Sequence, residues 1–334
     1  MNVSRSCFAC AGVLLSVLAL PLAAQHEHHT RAQHRAAEQA RLEVRSGPGA
    51  RALTFRVGPL QLPAGADHHA VAQAPEFFWD VPFDGWLVAY RPRLLDAAGN
   101  ELPGRLLHHV GFWHTTRPDF LCPEKPEHIF GAGGEMNEWP AVPGFGYRVG
   151  RGERVRVDTM FHNPTETDYP EVYLEVLVEY VRADDGMPLR NYYPAWFDVQ
   201  RCRDSSYDLR PGENVTSAEI PVRYGGVLLG VGGHLHDYGL LLRLVNVTRN
   251  EKVAELVAQR DEHGRLQAMP TETFTNRGGY RIHAGDTLRV TAIYDNKSGR
   301  LLPEGAMGIV VGYFVPDDDA TLAALRRSPR PARR

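Results

Sequence analysis

Along the chain, apolar and polar positions alternate in short runs broken by turn residues. EVYLEVLVEYV, residues 171–181, sets Val172, Leu174, Val176 and Val178 against charged or aromatic partners, the period-two signature of a half-buried antiparallel strand. LTFRVGPLQLP, GWLVAYRPRLL, LLHHVGFWH and RVRVDTMFH, all between residues 53 and 162, are rich in Val, Leu, Phe and Tyr and bounded by Pro, Gly and Asn/Asp, and read as strands as well. A second series follows in GVLLGVGGHLH, GLLLRLVNVT, TLRVTAIYD and GIVVGYFVP. Between the two lies the polar, turn-rich RADDGMPLRNYYPAWFD (182–198), the expected domain junction. A helical period survives only in DDDATLAALRR near the C-terminus, where aspartates serve the first turn. The pattern predicts an all-β chain of two tandem sandwich domains, residues 51–183 and 184–318, followed by a short helix and a basic tail over 319–334.

At the N-terminus, Arg5 precedes an apolar run from Cys7 to Leu22, and the small residues Ala23 and Ala24 give way to QHEHHTRAQHR. This is the layout of an export signal over residues 1–24, with the mature chain starting near Gln25 and the protein expected in the periplasm or secreted. The competing reading is an uncleaved anchor, since the run approaches the length of a membrane span; Pro21 and the small residues favour cleavage. No other run is long and apolar enough to span a membrane. Residues 25–50 are polar and rich in Ala, Arg and His, with a short helical stretch near Ala36 to Leu42, and are expected to form a mobile His-rich arm. The basic end RRSPRPARR is expected to be a disordered tail. Cys122 and Cys202 remain after cleavage; in an oxidising compartment they are candidates for one disulfide, and equally for two buried thiols. A net charge of −3 leaves no electrostatic footprint for nucleic acid.

The chemistry sits in the strands. GGHLHDYG (232–239) puts His234 and His236 on one face, about 6.6 Å apart at roughly 3.3 Å per residue, an arrangement suited to a metal ion. With fifteen histidines in the chain, an H-x-H strand facing solvent is the plain alternative. His108 and His109 would face opposite ways in a regular strand, so both reach one ion only at a strand end or a bulge. His114 shares the parity of His108 but lies about 20 Å further along an extended chain, outside the same shell. His162 closes its strand before the turn NPTETD, where bonding a loop carbonyl is the plain alternative. Met307, in PEGAMGIVVGYF, is by itself more ordinary as core filler than as a ligand. Taken together, His108, His109 and His162 make a nitrogen-only site suited to copper or zinc, while His234, His236 and the Met307 thioether make a softer site that selects cuprous copper.

The order HH, H, HxH, M across two β domains resembles the copper type II, ascorbate-dependent monooxygenases, the family of peptidylglycine α-hydroxylating monooxygenase and dopamine β-monooxygenase. PGFGYRVGRGERVRVDTMFHNPTE resembles the family's passage into its single histidine, and LRPGENVTSAEI the opening of its second domain. GGHLHDYGLLLRLVNV resembles its H-x-H strand and the next one, and IHAGDTLRVTAIYDN and the Met307 segment follow in family order. The likeness runs from about Leu53 to Pro316, and the HH and GHLH segments are also similar to those of plant stress-upregulated nodulin-type proteins.

The resemblance implies two jelly-roll-like sandwiches with the substrate between two mononuclear coppers. It puts His108, His109 and His162 on an electron-supplying copper and makes His234, His236 and Met307 the oxygen-activating, catalytic centre. It further implies ascorbate or a similar reductant, dioxygen, and hydroxylation of a C–H bond in a small-molecule or peptide-like organic substrate. The chain departs from the peptidylglycine enzyme at two places. That enzyme has an arginine for the substrate carboxylate two residues before its H-x-H and a tyrosine four residues after its methionine; here these positions are Gly232 and Val311. The missing clamp argues against peptide amidation.

The leading expectation is therefore an exported copper-dependent monooxygenase. The alternatives are a non-catalytic copper-binding protein for storage or delivery, and a metal-free sandwich that keeps only the scaffold. HLHD lacks the further carboxylate and histidine of an H-x-H-x-D-H zinc hydrolase. His26, His28, His29 and His34 read as a solvated tail more than as a copper-capturing arm, and His68 and His69 in GADHHAV as a structural pair. PEFFWDVPFDGW and NYYPAWF read as core or domain contact, the other use of such a contact being a substrate cleft.

Overall fold

The computed structural model of the chain describes residues 39–47 and 51–327; the expected export signal, the histidines of residues 26–34 and the tail after residue 327 lie outside them. The architecture is all-β, as two packed sandwiches. In the first half the strands are β1 (Arg41–Ser46), β2 (Ala52–Leu62), β3 (Phe77–Asp80), β4 (Gly85–Asp96), β5 (Glu101–Leu102), β6 (Leu107–Pro118), β7 (Pro126–Gly133), β8 (Phe145–Val149), β9 (Arg154–Phe161), β10 (Tyr169–Arg182) and β11 (Arg190–Asn191). One sheet has the order β1-β2-β10-β4-β8-β11 with β5 added to β4, and the other β3-β9-β6-β7. They share one core, into which β10 sends Val172, Leu174, Val176 and Val178 as its alternation requires.

The second half contributes β12 (Tyr193–Asp198), β13 (Tyr207–Leu209), β14 (Gly212–Pro221), β15 (Gly226–Leu235), β16 (Gly239–Asn246), β17 (Glu251–Val257), β18 (Gln259–Arg260), β19 (Leu266–Ala268), β20 (Thr271–Thr273), β21 (Tyr280–Ile282), β22 (Thr287–Asn296), β23 (Leu302–Ala306) and β24 (Gly308–Pro316). Its two main sheets run β14-β22-β16-β17 and β12-β24-β15-β20, with β21 on β15, and the short pairs β13-β23 and β18-β19 sit beside them. The helix expected near the C-terminus is α1 (Asp319–Arg327), which buries Leu322.

Strand β24 shows how the halves join. Val310 and Phe314 point into the second core, while Ile309, Val311, Tyr313 and Val315 point into the first. A strand covered on both faces needs no polar alternation, and GIVVGYFVP has none. Tyr192 stacks on Tyr313 at 4.0 Å between ring centroids and Trp139 lies on it at 4.7 Å, so aromatic side chains fill the contact. Cys122, just after β6, and Cys202, just after β12, form a disulfide across the same contact, resolving the two readings of these residues.

Two segments differ from the sequence reading. Residues 41–46 of the expected arm form an edge strand on β2, because RLEVRS half-buries Leu42 and Val44 while its charges stay in water. Within the expected junction, β11 pairs in parallel with β8 of the first half before β12 joins the second, so the chain crosses over at Tyr192.

Candidate metal centre

The first histidine set is assembled by a bulge. Strand β6 pairs with β9 as Leu107↔Phe161 and then His109↔Met160, leaving His108 as an extra residue. That is the irregularity the adjacent histidines require in order to turn toward one another. Their Nδ1 atoms lie 3.2 Å apart, close to the roughly 3.3 Å edge that two bonds of 2.0–2.1 Å make on a tetrahedral ion. His162 follows directly after β9, where its backbone N–H donates to the Leu106 carbonyl at 3.1 Å and its ring stands 5.2 Å from that of His108.

The second set comes from the end of β15 and the start of β24. The register pairs His234 with Ile309 and Leu235 with Gly308, and continuing it sets Met307 across from His236. Tyr294 of β22 fixes that pair: its hydroxyl accepts from the backbone N–H groups of His236 at 2.9 Å and Met307 at 3.2 Å, and donates to the Met307 carbonyl. His234 is held from the other half of the molecule. Its Nδ1 lies 2.9 Å from Oε1 of the buried Glu135, in the turn after β7. With the carboxylate accepting, the ring proton stays on Nδ1 and Nε2 is left as the free donor. Asn137, two residues on, donates to the Gly233 carbonyl at 2.7 Å. Gly133 must lack a side chain: a Cβ there would stand 2.6 Å from Cε1 of His234 and 2.8 Å from Oε2 of Glu135.

Burial and neighbouring imidazoles keep most of these rings neutral. Burial first, then the proximity of His234 and His68, lowers His109 to about 4; burial does the same for His162. Burial and His236 push His108 far down, and burial and His234 push His236 down. His234 is the exception, since burial alone would lower it but the Glu135 carboxylate outweighs that and raises it. Neutral imidazole is the ligating form. The Nε2 atoms of His234 and His236 are buried without any hydrogen-bond partner. Leaving such an atom unmatched costs about 1–3 kcal/mol, which a bound ion would remove. The donor set thus fits a soft or borderline transition metal, as orphaned nitrogens beside a thioether-bearing strand.

All six residues expected from the sequence converge, yet in a different relation from the separated pair of sites implied by the resemblance. The rings of His108 and His236 are 4.7 Å apart, so the two sets adjoin directly. Among the described residues, the His/Cys/Asp/Glu groups whose donor atoms all lie within 4.8 Å of one another are His68, His69 and Glu304, and the disulfide pair with Glu124. A closed shell of His108, His109 and His162 therefore needs the imidazoles to turn toward a common point.

Beside this cluster lies a cavity of about 160 Å³, reached by His109, His234 and Met307 and bounded at its far side by the Cys122–Cys202 disulfide. Trp113, Trp139 and Trp196 line it, and His128 is sandwiched between Trp113 at 3.6 Å and Trp196 at 3.7 Å. The cavity thus touches both donor sets, through His109 of the first and His234 and Met307 of the second.

Glu135 and Tyr294 escaped the sequence reading, which took His68 and His69 as a structural pair. His68 places its ring 4.7 Å from that of His108, so the GADHHAV pair adjoins the cluster. Doubled histidine was the one signal available; nothing in GGEMNEW or TAIYDN marks Glu135 or Tyr294. His114 is apart from the cluster, its Nε2 lying 3.4 Å from Glu153.

No family model matches the chain and no curated protein matches it. Among solved structures it is similar to the major capsid protein of bacteriophage PM2, at 11% identity and TM-score 0.32 over 79% of this chain and 98% of that one. It is also similar to the mavirus major capsid protein, at 8% identity and TM-score 0.24 over 98% and 100%. A third is a Paenibacillus xanthan lyase, at 12% identity and TM-score 0.22 over 83% and 25%. TM-scores this low carry no argument about function.

Proposed function

We propose that the protein is an exported, copper-dependent monooxygenase that hydroxylates a C–H bond of a small, largely apolar organic substrate with dioxygen and a reductant such as ascorbate. The observation that carries the reading is the meeting of His108, His109, His162, His234, His236 and Met307 at one place, with two buried Nε2 atoms unmatched. Bound there, copper would supply one-electron redox chemistry and a site for dioxygen. The chain's own residues do the rest. Glu135 fixes the tautomer of His234, Tyr294 holds His236 against Met307, and the tryptophans give the flanking cavity an apolar wall.

The cavity also bears on the substrate. Where the resembling peptidylglycine enzyme has its carboxylate-binding arginine, Gly232 leaves room for Trp139, whose Cζ2 would stand 3.1 Å from a Cβ at that position. An indole in place of a guanidinium favours a neutral, flat ligand, and a space of this size takes about one small ring. A mainly apolar cavity beside His234 and Met307 supports catalysis over storage, which needs none.

The test is to supply copper-loaded protein with ascorbate, ¹⁸O₂ and a panel of small aromatic and alkyl compounds. The expected result is a product one ¹⁸O heavier that Met307→Ala abolishes. Oxygen use with no labelled product, or full coupled hydroxylation by Met307→Ala, overturns the reading.

A further inference from the structure

A file of imidazoles leads from the buried centre to solvent. From the ring of His236, that of His108 is 4.7 Å away, His68 is 4.7 Å beyond His108, and His69 is 4.0 Å beyond His68. Exposure rises along it, from 16% for the side chain of His68 to 69% for His69. At the outer end Glu304 of β23 joins from the second half, with its Oε2 3.9 Å from the Nε2 atoms of both His68 and His69. The turn bearing the histidines is held firmly. Asp67 accepts from the N–H groups of His69 and Ala70 at 3.0 and 2.9 Å, and Gln73 bonds both the His68 carbonyl and the backbone of Phe161, next to His162.

We propose that His68, His69 and Glu304 form a third, solvent-facing site for a divalent first-row transition cation, at which metal is captured before it enters the buried cluster. Two imidazoles and one carboxylate are a fitting donor set for Cu²⁺ or Zn²⁺. Separations of 3.9 Å are a little wider than the edges of a ligand shell, so a small rotation of exposed side chains closes the site. This goes beyond the proposed function, because the site is accessible and needs no dioxygen chemistry; its capture role rests on the buried cluster being the destination.

The experiment uses Cu²⁺ alone. Wild type and His69→Ala/Glu304→Gln, both altered side chains being mainly exposed, are dialysed to equilibrium with Cu²⁺ and counted for metal. Loading is followed by quenching of the tryptophans around the cavity. Any copper on the N-terminal histidines is common to both proteins and cancels in the difference. The double variant is expected to bind one equivalent fewer and to load the remainder at least about tenfold more slowly. An unchanged count, or a loading rate equal to that of wild type, overturns the proposal. His108→Ala/His236→Ala separates the two readings: with the outer site real, this variant keeps the equivalent that His69→Ala/Glu304→Gln removes, whether or not the buried cluster holds copper.

Discussion

The two histidine sets at the domain contact are built from different materials. His108, His109 and His162 come from one end of two neighbouring strands, β6 and β9, and face mainly other imidazoles. His234 lies in β15 and His236 directly after it, but His234 is braced by a carboxylate from the opposite half and His236 is tied by Tyr294 to Met307. The first set is local and is complete once the first sandwich folds. The second is complete only when Glu135 and Asn137 reach across, so packing of the halves is part of its construction. A carboxylate-braced imidazole next to a thioether is the more strongly specified environment, and the cavity opens beside it.

That contrast can be broken in four ways, taken from the largest effect. His236→Ala should remove one copper equivalent completely and leave the nitrogen-only set loaded; loss of both equivalents in a metal count would show a single indivisible site. Next is acid. In the metal-free protein His109 and His162 are held at about 4 against an ordinary 6.5, so below pH 6.5 the unfolded chain binds protons that the folded one refuses. Their stabilising effect is full above pH 6.5 and lost as pH falls toward 4, by on the order of 3 kcal/mol each at most. The raised His234 works in the opposite sense and offsets part of this. Urea unfolding of metal-free protein at pH 7 and pH 4.5 should show the loss, and a flat profile would mean the first set is not buried as described.

Glu135→Gln, third, should weaken copper binding at the second set about 10–100-fold while sparing the first, the usual consequence of removing a ligand's carboxylate partner. Competition against a chelator of known strength measures it, and equal weakening of both sets would erase the distinction. Smallest is Tyr294→Phe. It leaves two backbone N–H groups without an acceptor and should lower stability by about 1–3 kcal/mol, with a shift in the spectrum of copper at the second set only.

Much of this was legible in the chain. Parity along a strand demanded a bulge or end at His108–His109, and the register places a bulge there. The same parity put His234 and His236 on one face, and GIVVGYFVP was legible as a strand, though not its burial on both sides. What could not be read are relations between segments far apart in sequence. No local pattern says that the turn after β7 meets the end of β15, that the GADHHAV turn lies on His108, or that the two sets adjoin, because these depend on how one sandwich docks on the other. The edge strand β1 was missed because two apolar residues in six give too short a period to stand out from a polar arm.

The most direct test of the central claim is X-ray absorption at the copper edge on protein loaded anaerobically with Cu⁺, as wild type and as Met307→Ala. The account predicts two tightly held coppers per chain, imidazole scattering from both and a sulfur shell from one, with the sulfur shell absent in the variant. Failure to retain copper against dialysis, or a sulfur shell that persists without Met307, would contradict it.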